Sequence, residues 1–311
     1  MKVLVTGANG FLGKFVSENL IEDGHTVIAT DVHSVSLLPR NIQTADFRYY
    51  SIDLTQSFDQ VIPLIDEVDS VVHLAAIVGI QNQIAPALTM YDLNVVAAGN
   101  IVRFCSKLNK YLIFASTSEI FGKNPNSPWS EITDCEFGNT SENRWAYGLG
   151  KALIEELIFG MAESDGLQAS CIRFFNLYGP GQGNMYLIPS WINSAMNKIP
   201  IKIYGSGLQE FSFTYVEDAA MFIASLVKNR ATGPFNFGSQ EITSILHLSE
   251  VLKDFFPDLV VLSGLPNREG ETSEYSRIPN SIRSDFHHDF IPLTSLRDGL
   301  VQTIAFYARN G

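Results

Sequence analysis

The stretch Thr6-Gly7-Ala8-Asn9-Gly10-Phe11-Leu12-Gly13 decides the fold of this 311-residue chain. It follows the apolar run Lys2–Val5, which predicts a β-strand, and it opens the amphipathic run Phe11–Asp23, which predicts an α-helix. Glycines in such a turn allow the backbone to approach a pyrophosphate at the helix N-terminus, and the last one lets the helix pack against the strand. The stretch therefore predicts a dinucleotide site, with a glycine-rich turn that holds no ligand as the alternative.

Acidic residues near the ends of two further strands refine this prediction. Asp31 closes the second predicted strand, 18 residues after Gly13, and the next basic residue is Arg40. A carboxylate at this position accepts hydrogen bonds from an adenosine ribose and repels a 2′-phosphate, so we expect NAD and not NADP. Asp53-Leu54 stands where a carboxylate can meet the adenine amino group, and an ordinary helix N-cap is the alternative.

Short β-branched runs alternate with amphipathic stretches through the first half of the chain. This alternation predicts βαβ units, and hence an α/β fold with a Rossmann-type, doubly wound parallel sheet. After Asn176 the sequence becomes richer in Pro and Gly. We therefore expect residues 1–176 plus about 211–235 to form the NAD-binding domain. A smaller C-terminal α/β substrate lobe is expected from about 177–210 and 236–311.

The composition excludes several classes of protein. With 46% hydrophobic residues the chain can bury a large core, and its net charge of −12 disfavours nucleic-acid and membrane-surface binding. No apolar run is long enough to span a bilayer, and the N-terminus does not resemble a signal peptide. The three cysteines lack metal-ligand spacing and predict reduced thiols in a cytoplasmic protein. His287-His288 lacks further ligands, so we expect no metal site.

Three residues form a candidate catalytic constellation. Tyr147 and Lys151 are neighbours on one face of a predicted helix, where an ammonium group lowers the pKa of a phenol and makes it a general base near neutral pH. Thr117 follows the apolar strand Tyr111–Ala115, and ligands bind at the carboxyl ends of parallel strands. The alternative for Tyr147 and Lys151 is an ordinary pair on a helix surface, and the alternative for Thr117 is a hydroxyl that caps a turn.

Together these motifs resemble the extended short-chain dehydrogenases/reductases of the NAD-dependent epimerase/dehydratase family, over essentially the full length. The carrying residues are Thr6-Gly7-x-x-Gly10-x-x-Gly13, Asp31, Asp53-Leu54, His73-Leu74-Ala75-Ala76, Asn94, Ser116-Thr117-Ser118-Glu119-Ile120-Phe121-Gly122, Tyr147-x-x-x-Lys151 and Arg173-Phe174-Phe175-Asn176-x-Tyr178-Gly179-Pro180. The resemblance implies an NAD-dependent enzyme that acts on a nucleotide sugar.

The resemblance also implies the site residues. The catalytic residues expected are Thr117, Tyr147, Lys151 and Glu119. The cofactor contacts expected are Gly7, Asn9, Gly10, Phe11, Leu12, Gly13, Asp31, Asp53, Leu54, Leu74, Ala75, Ala76, Asn94, Tyr147, Lys151 and Phe174. The substrate contacts expected are Ser118, Asn176, Arg268 and Glu271. For Asn94, a buried amide that ties a helix to a strand is the alternative.

The family chemistry begins with oxidation of a sugar hydroxyl, usually at C4, and then diverges. Return of the hydride to the other face of the ketone gives a 4-epimerase, which is our leading hypothesis. Thr117-Ser118-Glu119 is typical of decarboxylases that act on UDP-glucuronic acid, so a nucleotide-hexuronate decarboxylase is the alternative. A 4,6-dehydratase is disfavoured because Ser118 replaces the usual Asp. A catalytically silent dinucleotide-sensing protein is the distant alternative.

One departure from the family pattern concerns the substrate diphosphate. Phe211 stands where many relatives have an Arg that contacts the diphosphate and is implicated in decarboxylation, whereas Arg268 matches the second family Arg. The absence of one of the two arginines that contact the diphosphate weakens both the nucleotide-sugar hypothesis and the decarboxylase hypothesis. Family members often dimerise through the helices that correspond to Leu93–Leu108 and Tyr147–Glu163, so we expect a homodimer.

Overall fold

A computed structural model describes residues 1–34, 46–78, 86–266 and 294–310. Its main feature is a seven-stranded sheet, formed by β1 Lys2–Thr6, β2 Thr26–Asp31, β3 Phe47–Ser51, β4 Ser70–His73, β5 Tyr111–Thr117, β6 Ala169–Phe174 and β11 Gly233–Phe237. The strand order is β11-β6-β5-β4-β1-β2-β3. The pairs β1–β2, β1–β4, β2–β3 and β4–β5 are parallel, which confirms the predicted doubly wound α/β fold.

Helices alternate with these strands as the sequence predicts. They are α1 Phe11–Glu22, α2 Ile62–Glu67, α3 Ala87–Tyr91, α4 Ala98–Lys107, α5 Ala146–Asp165, α6 Leu187–Met196, α7 Val216–Asn229, α8 Ile245–Phe255 and α9 Leu296–Asn310. A π-helical stretch, Asp92–Ala97, joins α3 to α4, so the helix predicted over Leu93–Leu108 is continuous but begins with π-helical geometry.

The chain divides into two compact units. The first contains Met1–Gly122, Phe137–Arg173 and Ala219–Phe235, and the second contains Lys123–Glu136, Phe174–Asp218 and Asn236–Gly311. The core of the first unit includes the central residues of β1, β4 and β5, which are almost completely buried because helices cover both faces of the sheet.

The second unit is built from short strands and helices. Its strands are β7 Leu177–Tyr178, β8 Ile201–Tyr204, β9 Glu210–Ser212, β10 Thr214–Tyr215, β12 Ile242–Ser244 and β13 Val261–Leu265. They form the two-stranded pairs β10–β7, β12–β9 and β13–β8. Its apolar core includes Trp191 and Leu248.

The segment 211–218 differs from the sequence expectation. We expected about 211–235 to return to the NAD-binding domain, but β9 and β10 pair within the second unit, and only the part from Ala219 groups with the first. The reason is apolar packing: Phe211 and Phe213 contact the core of the second unit, with their ring centroids 5.9 Å apart.

None of the helices in the described ranges combines the length and the apolar character that a bilayer span requires.

Candidate active site

The glycine-rich turn after β1 is packed so tightly that it excludes a side chain at Gly7 and at Gly13. Gly7 has φ +68°, and a Cβ there would lie 2.7 Å from the backbone nitrogen of Ala75. A Cβ on Gly13 would lie 2.2 Å from the carbonyl oxygen of Gly7, which accepts a hydrogen bond from Gly10 N at 3.0 Å. Glycines at these positions let the backbone approach a pyrophosphate at the start of α1, so these residues fit the phosphates of NAD. Phe11 and Leu12, expected to contact the cofactor, open α1 itself.

Asp31 lies beside this turn at the end of β2. Its Oδ2 accepts a hydrogen bond from the backbone nitrogen of Asn9 and its Oδ1 one from that of His33, both at 3.1 Å. These two bonds fix the carboxylate next to the glycine-rich turn, where the adenosine ribose is expected. Arg40 lies outside the described residues.

Asp53 and Leu54 have clear structural roles. Asp53 Oδ1 accepts hydrogen bonds from the backbone nitrogen and the hydroxyl of Thr55, at 2.8 and 2.7 Å, and so caps the turn that follows β3. Leu54 is buried in the core of the first unit. The capping alternative thus describes what Asp53 does here, and an adenine contact stays a prediction.

The segment after β4 is joined to the glycine-rich turn and to the π-helical stretch. Ala75 N donates to Thr6 Oγ1 at 3.3 Å, and the same hydroxyl bonds to Nδ1 of the buried His73 at 2.7 Å. Asn94 accepts from Ile77 N at 2.9 Å and donates to Ile77 O at 2.7 Å. Asn94 therefore ties the helix to the chain after β4. Leu74, Ala75 and Ala76 are half-buried along this segment, where the cofactor contacts are expected.

The expected catalytic residues meet at the carboxyl end of β5. Thr117 ends β5 and is 8% exposed, and Tyr147, in the first turn of α5, has the same exposure. Thr117 Oγ1 accepts from Glu119 N at 3.2 Å, so the hydroxyl proton of Thr117 remains available for donation. A Cβ on Gly148 would lie 2.5 Å from the carbonyl oxygen of Glu119, so the start of α5 packs directly on the turn after β5.

Lys151 is the most deeply placed of these residues. Its side chain is 2% exposed, its Nζ donates to the carbonyl oxygen of Ala115 at 2.7 Å, and the amine lies 4.5 Å from the centroid of the Phe114 ring. Burial lowers the pKa of Lys151 to about 7, while the nearby Glu155 raises it. The charge on Lys151 therefore changes near neutral pH.

A buried ion pair supports Lys151 from one helical turn further along α5. Glu155 and Arg173 are 3% and 8% exposed. Arg173 Nε donates to Oε1 and Oε2 of Glu155 at 3.2 and 3.1 Å, and Arg173 Nη2 donates to Oε2 at 2.7 Å. The guanidinium also lies 5.3 Å from the centroid of the Phe121 ring. No role for this pair is predicted from the sequence, although a charge beside Ile154 on the apolar face of α5 is a signal for one.

Sequence reasoning also missed the partner of Glu119. Arg144 Nη1 lies 2.7 Å from Glu119 Oε2, and the two side chains are 25% and 19% exposed. Arg144 immediately precedes Trp145 and α5. The structure thus brings Thr117, Glu119, Tyr147 and Lys151 to one edge of the sheet.

The expected substrate contacts are only partly described. Ser118 is buried, and Asn176, at φ 30°, donates to Ser212 O at 3.3 Å. Phe174, expected to contact the cofactor, lies edge-on to Phe237 with ring centroids 6.2 Å apart. Arg268 and Glu271 lie outside the described residues.

Comparison with known proteins identifies the family. A model described as the NAD dependent epimerase/dehydratase family matches residues 3–238. The chain belongs to this family. Family membership confirms the predicted enzyme class, a short-chain dehydrogenase/reductase type of nucleotide-sugar enzyme, and the predicted cofactor, NAD.

Members of the epimerase/dehydratase family with different activities are similar to this chain. A UDP-N-acetyl-alpha-D-glucosaminuronate decarboxylase of Bacillus cytotoxicus is 30% identical, over 98% of this chain and 97% of that protein. A UDP-glucuronic acid decarboxylase 1 of Danio rerio is 25% identical, over 99% of this chain and 73% of that protein. The structure of a UDP-N-acetylglucosamine 4-epimerase from Methanobrevibacter ruminantium M1, in complex with UDP-N-acetylmuramic acid, matches with a TM-score of 0.86 and 25% identity over 100% of this chain and 99% of that one.

Within the ranges that the structure describes, no three His, Cys, Asp or Glu side chains are grouped so that they could hold a metal ion.

Proposed function

We propose that this protein is an NAD-dependent nucleotide-sugar 4-epimerase that acts through a transient 4-keto sugar. The observation that carries the proposal is the placement of Lys151 in the interior, one helical turn beyond Tyr147 and hydrogen-bonded to β5 just before Thr117. An ammonium group at that position stabilises a phenolate on Tyr147, which then removes the proton of the C4 hydroxyl. When bound, NAD accepts the hydride from C4 and returns it.

The remaining residues orient the sugar. Thr117 Oγ1 already accepts a hydrogen bond from the backbone nitrogen of Glu119. The hydroxyl of Thr117 is therefore the group that donates a hydrogen bond to the sugar oxygen. A hydrogen bond there keeps O4 beside Tyr147 in both directions of the reaction. The epimerase then needs only that the ketone present its other face before the hydride returns.

The position of Phe211 favours epimerisation over decarboxylation. Its ring is half-buried against the apolar core of the second unit, so this side chain supplies no cation at the position that the resemblance associates with decarboxylation. Epimerisation at C4 removes no carboxylate from the sugar, so it does not require that cation.

A nucleotide-hexuronate decarboxylase is the second candidate, and a specific observation favours it. Glu119 follows Thr117 and Ser118 and is fixed by Arg144, so a carboxylate stands ready for a second step on the 4-keto sugar. The similar Bacillus cytotoxicus and Danio rerio proteins are decarboxylases by name. A 4,6-dehydratase is the weaker candidate because Ser118 offers no carboxylic acid.

Product analysis separates these candidates. The NAD-loaded protein is incubated with UDP-glucose, UDP-N-acetylglucosamine, UDP-glucuronic acid and UDP-N-acetylglucosaminuronic acid, and the products are identified by NMR and mass spectrometry. Epimerisation conserves the mass and inverts C4, whereas decarboxylation releases carbon dioxide and dehydration releases water. A C4 epimer of at least one sugar is expected, and release of carbon dioxide from the uronates would replace the first candidate by the second.

We further propose a homodimer formed through α5 and the helix that runs from α3 through the π-helical stretch into α4. Apolar side chains on these adjacent helices and the π-helical stretch are well exposed: Leu88 69%, Tyr91 51%, Val96 44%, Leu153 56% and Leu157 38%. A paired copy would remove this apolar surface from water. Light scattering is expected to give twice the chain mass, and Leu153→Glu to give the monomer; a monomeric wild type would contradict the proposal.

We also propose a cytoplasmic location. Cys105 and Cys171 are buried free thiols, which suits a reducing compartment. Fractionation of the producing cell is the test, with recovery outside the cytoplasm as the contrary result.

A further inference from the structure

The ion pair between Arg144 and Glu119 is more enclosed than a surface ion pair of the same length. Its side chains are 25% and 19% exposed, whereas those of Arg297 and Asp254, also 2.7 Å apart, are 57% and 58% exposed. Moving charges out of water offsets much of their attraction, so an enclosed pair contributes little net stability. Its location therefore points to a role other than stability.

Both partners belong to the segments that present the catalytic residues. Glu119 lies in the 3₁₀ turn Ser118–Phe121, directly after Thr117, and Arg144 lies in the 3₁₀ turn Asn143–Trp145, directly before α5. The ion pair thus joins the turn that follows β5 to the turn that precedes Tyr147, across 25 residues of sequence.

The backbone of Glu119 is held without help from Arg144. Its nitrogen donates to Thr117 Oγ1, and its carbonyl oxygen packs against Gly148. Arg144 is held in turn, because its guanidinium carbon lies 5.4 Å from the centroid of the Trp145 ring and Trp145 Nε1 donates to Glu142 Oε2 at 3.1 Å. What Arg144 adds is therefore the orientation of the Glu119 carboxylate.

We propose that Arg144 is a positioning residue of the active site, whose guanidinium fixes the carboxylate of Glu119 beside Thr117 and Tyr147. A fixed carboxylate meets the sugar in one orientation, and small errors in such an orientation cost large factors in rate. The inference rests on the proposed function, because Glu119 affects turnover only where a sugar reaches it. Arg144 itself need not contact the sugar.

Steady-state kinetics of NAD-loaded variants test the proposal, with whichever of the four UDP-sugars of the product analysis the wild type converts as the probe. Arg144→Met removes the charge and is expected to lower kcat about 10- to 100-fold while KM changes less than about threefold. Arg144→Lys keeps a charge but not the planar fork, and is expected to recover part of the loss. Arg297→Met removes the exposed pair of equal length and is expected to leave both constants unchanged.

A double-mutant cycle separates positioning from general structure. If Arg144 acts through Glu119, the double variant Arg144→Met/Glu119→Gln is no slower than Glu119→Gln alone. An additive loss, an unchanged kcat in Arg144→Met, or a rise in KM alone would each overturn the proposal. Should Arg144→Met fail to fold, Arg144→Lys and the Glu119→Gln background supply the same comparison.

A second readout is independent of turnover. Crystal structures of the NAD-bound wild type, Arg144→Lys and Arg144→Met are expected to show the Glu119 carboxylate in one position in the first two and displaced in the third. An unmoved carboxylate in Arg144→Met would overturn the inference even in an active enzyme. If the wild type converts none of the four UDP-sugars of the product analysis, the proposed function fails, and the crystal structures alone decide whether Arg144 orients Glu119.

Discussion

Lys151 Nζ donates a hydrogen bond to the carbonyl oxygen of Ala115, 2.7 Å away, and so joins the first turns of α5 to the end of β5. This bond fixes the amine of Lys151 in the interior, against the strand residue that lies two positions before Thr117. It gives the site a group whose charge depends on pH near neutrality, because burial lowers the pKa of Lys151 to about 7.

Replacing Lys151 by methionine is expected to stabilise the protein while abolishing turnover. The pKa of Lys151 is about 7 in the folded chain, against 10.5 for a lysine in water, so the unfolded chain binds more protons between these values. The destabilising effect of Lys151 is thus full below pH 7 and disappears as the pH rises towards 10.5. At pH 6, Lys151→Met should raise the free energy of unfolding by about 1–3 kcal/mol, less than the full cost of desolvation because Ala115 loses its partner.

The measurement for Lys151→Met is urea unfolding of both proteins at several pH values from 6 to 10. The difference between the two free energies of unfolding should shrink as the pH rises. A difference that is constant across this range, or a wild type that is the more stable at pH 6, would contradict the account.

Glu155→Gln is expected to destabilise the protein strongly. It leaves the buried Arg173 guanidinium without its anion, which typically costs about 3–5 kcal/mol. The double variant Glu155→Gln/Arg173→Met removes both charges and should recover much of that loss. Asp254→Asn is the matched control, because it breaks an exposed pair and should change the free energy of unfolding far less. Equal effects of Glu155→Gln and Asp254→Asn in urea unfolding would show that the interior pair is not as described.

Gly13→Ala is expected to abolish NAD binding. Its Cβ would lie 2.2 Å from the carbonyl oxygen of Gly7, so the turn must open. Gly160→Ala in α5 is the matched control, since no atom lies within 4 Å of its Cβ, and it should stabilise the protein by about 0.5–1 kcal/mol. Isothermal titration with NAD compares the two variants, and wild-type affinity in Gly13→Ala would disprove the tight turn.

The sheet could be predicted from the sequence because its signals are local. The apolar run Tyr111–Ala115 and the glycine-rich turn define βαβ units without knowledge of the rest of the chain. The π-helical start of the helix predicted over Leu93–Leu108 could not be predicted in this way. It is associated with the two hydrogen bonds between Asn94 and Ile77, which come from a different segment.

The residues of the active site likewise divide into those with a local signal in the sequence and those without one. Tyr147, Lys151 and Thr117 were candidates because of their spacing and strand position. Arg144 has no local signal, since its partner Glu119 is 25 residues earlier in the chain. Likewise the position of Phe211 in the second unit depends on β12, which pairs with β9 from a later part of the sequence.

The role of Tyr147 as the base is tested most directly by the turnover number of Tyr147→Phe. The NAD-loaded variant and wild type are compared on the UDP-sugar that the wild type converts, with Tyr50→Phe on β3 as the control. We predict a kcat lower by about 10²–10⁴-fold in Tyr147→Phe, with NAD binding retained, and an unchanged kcat in Tyr50→Phe. A Tyr147→Phe variant that turns over at the wild-type rate would contradict the account.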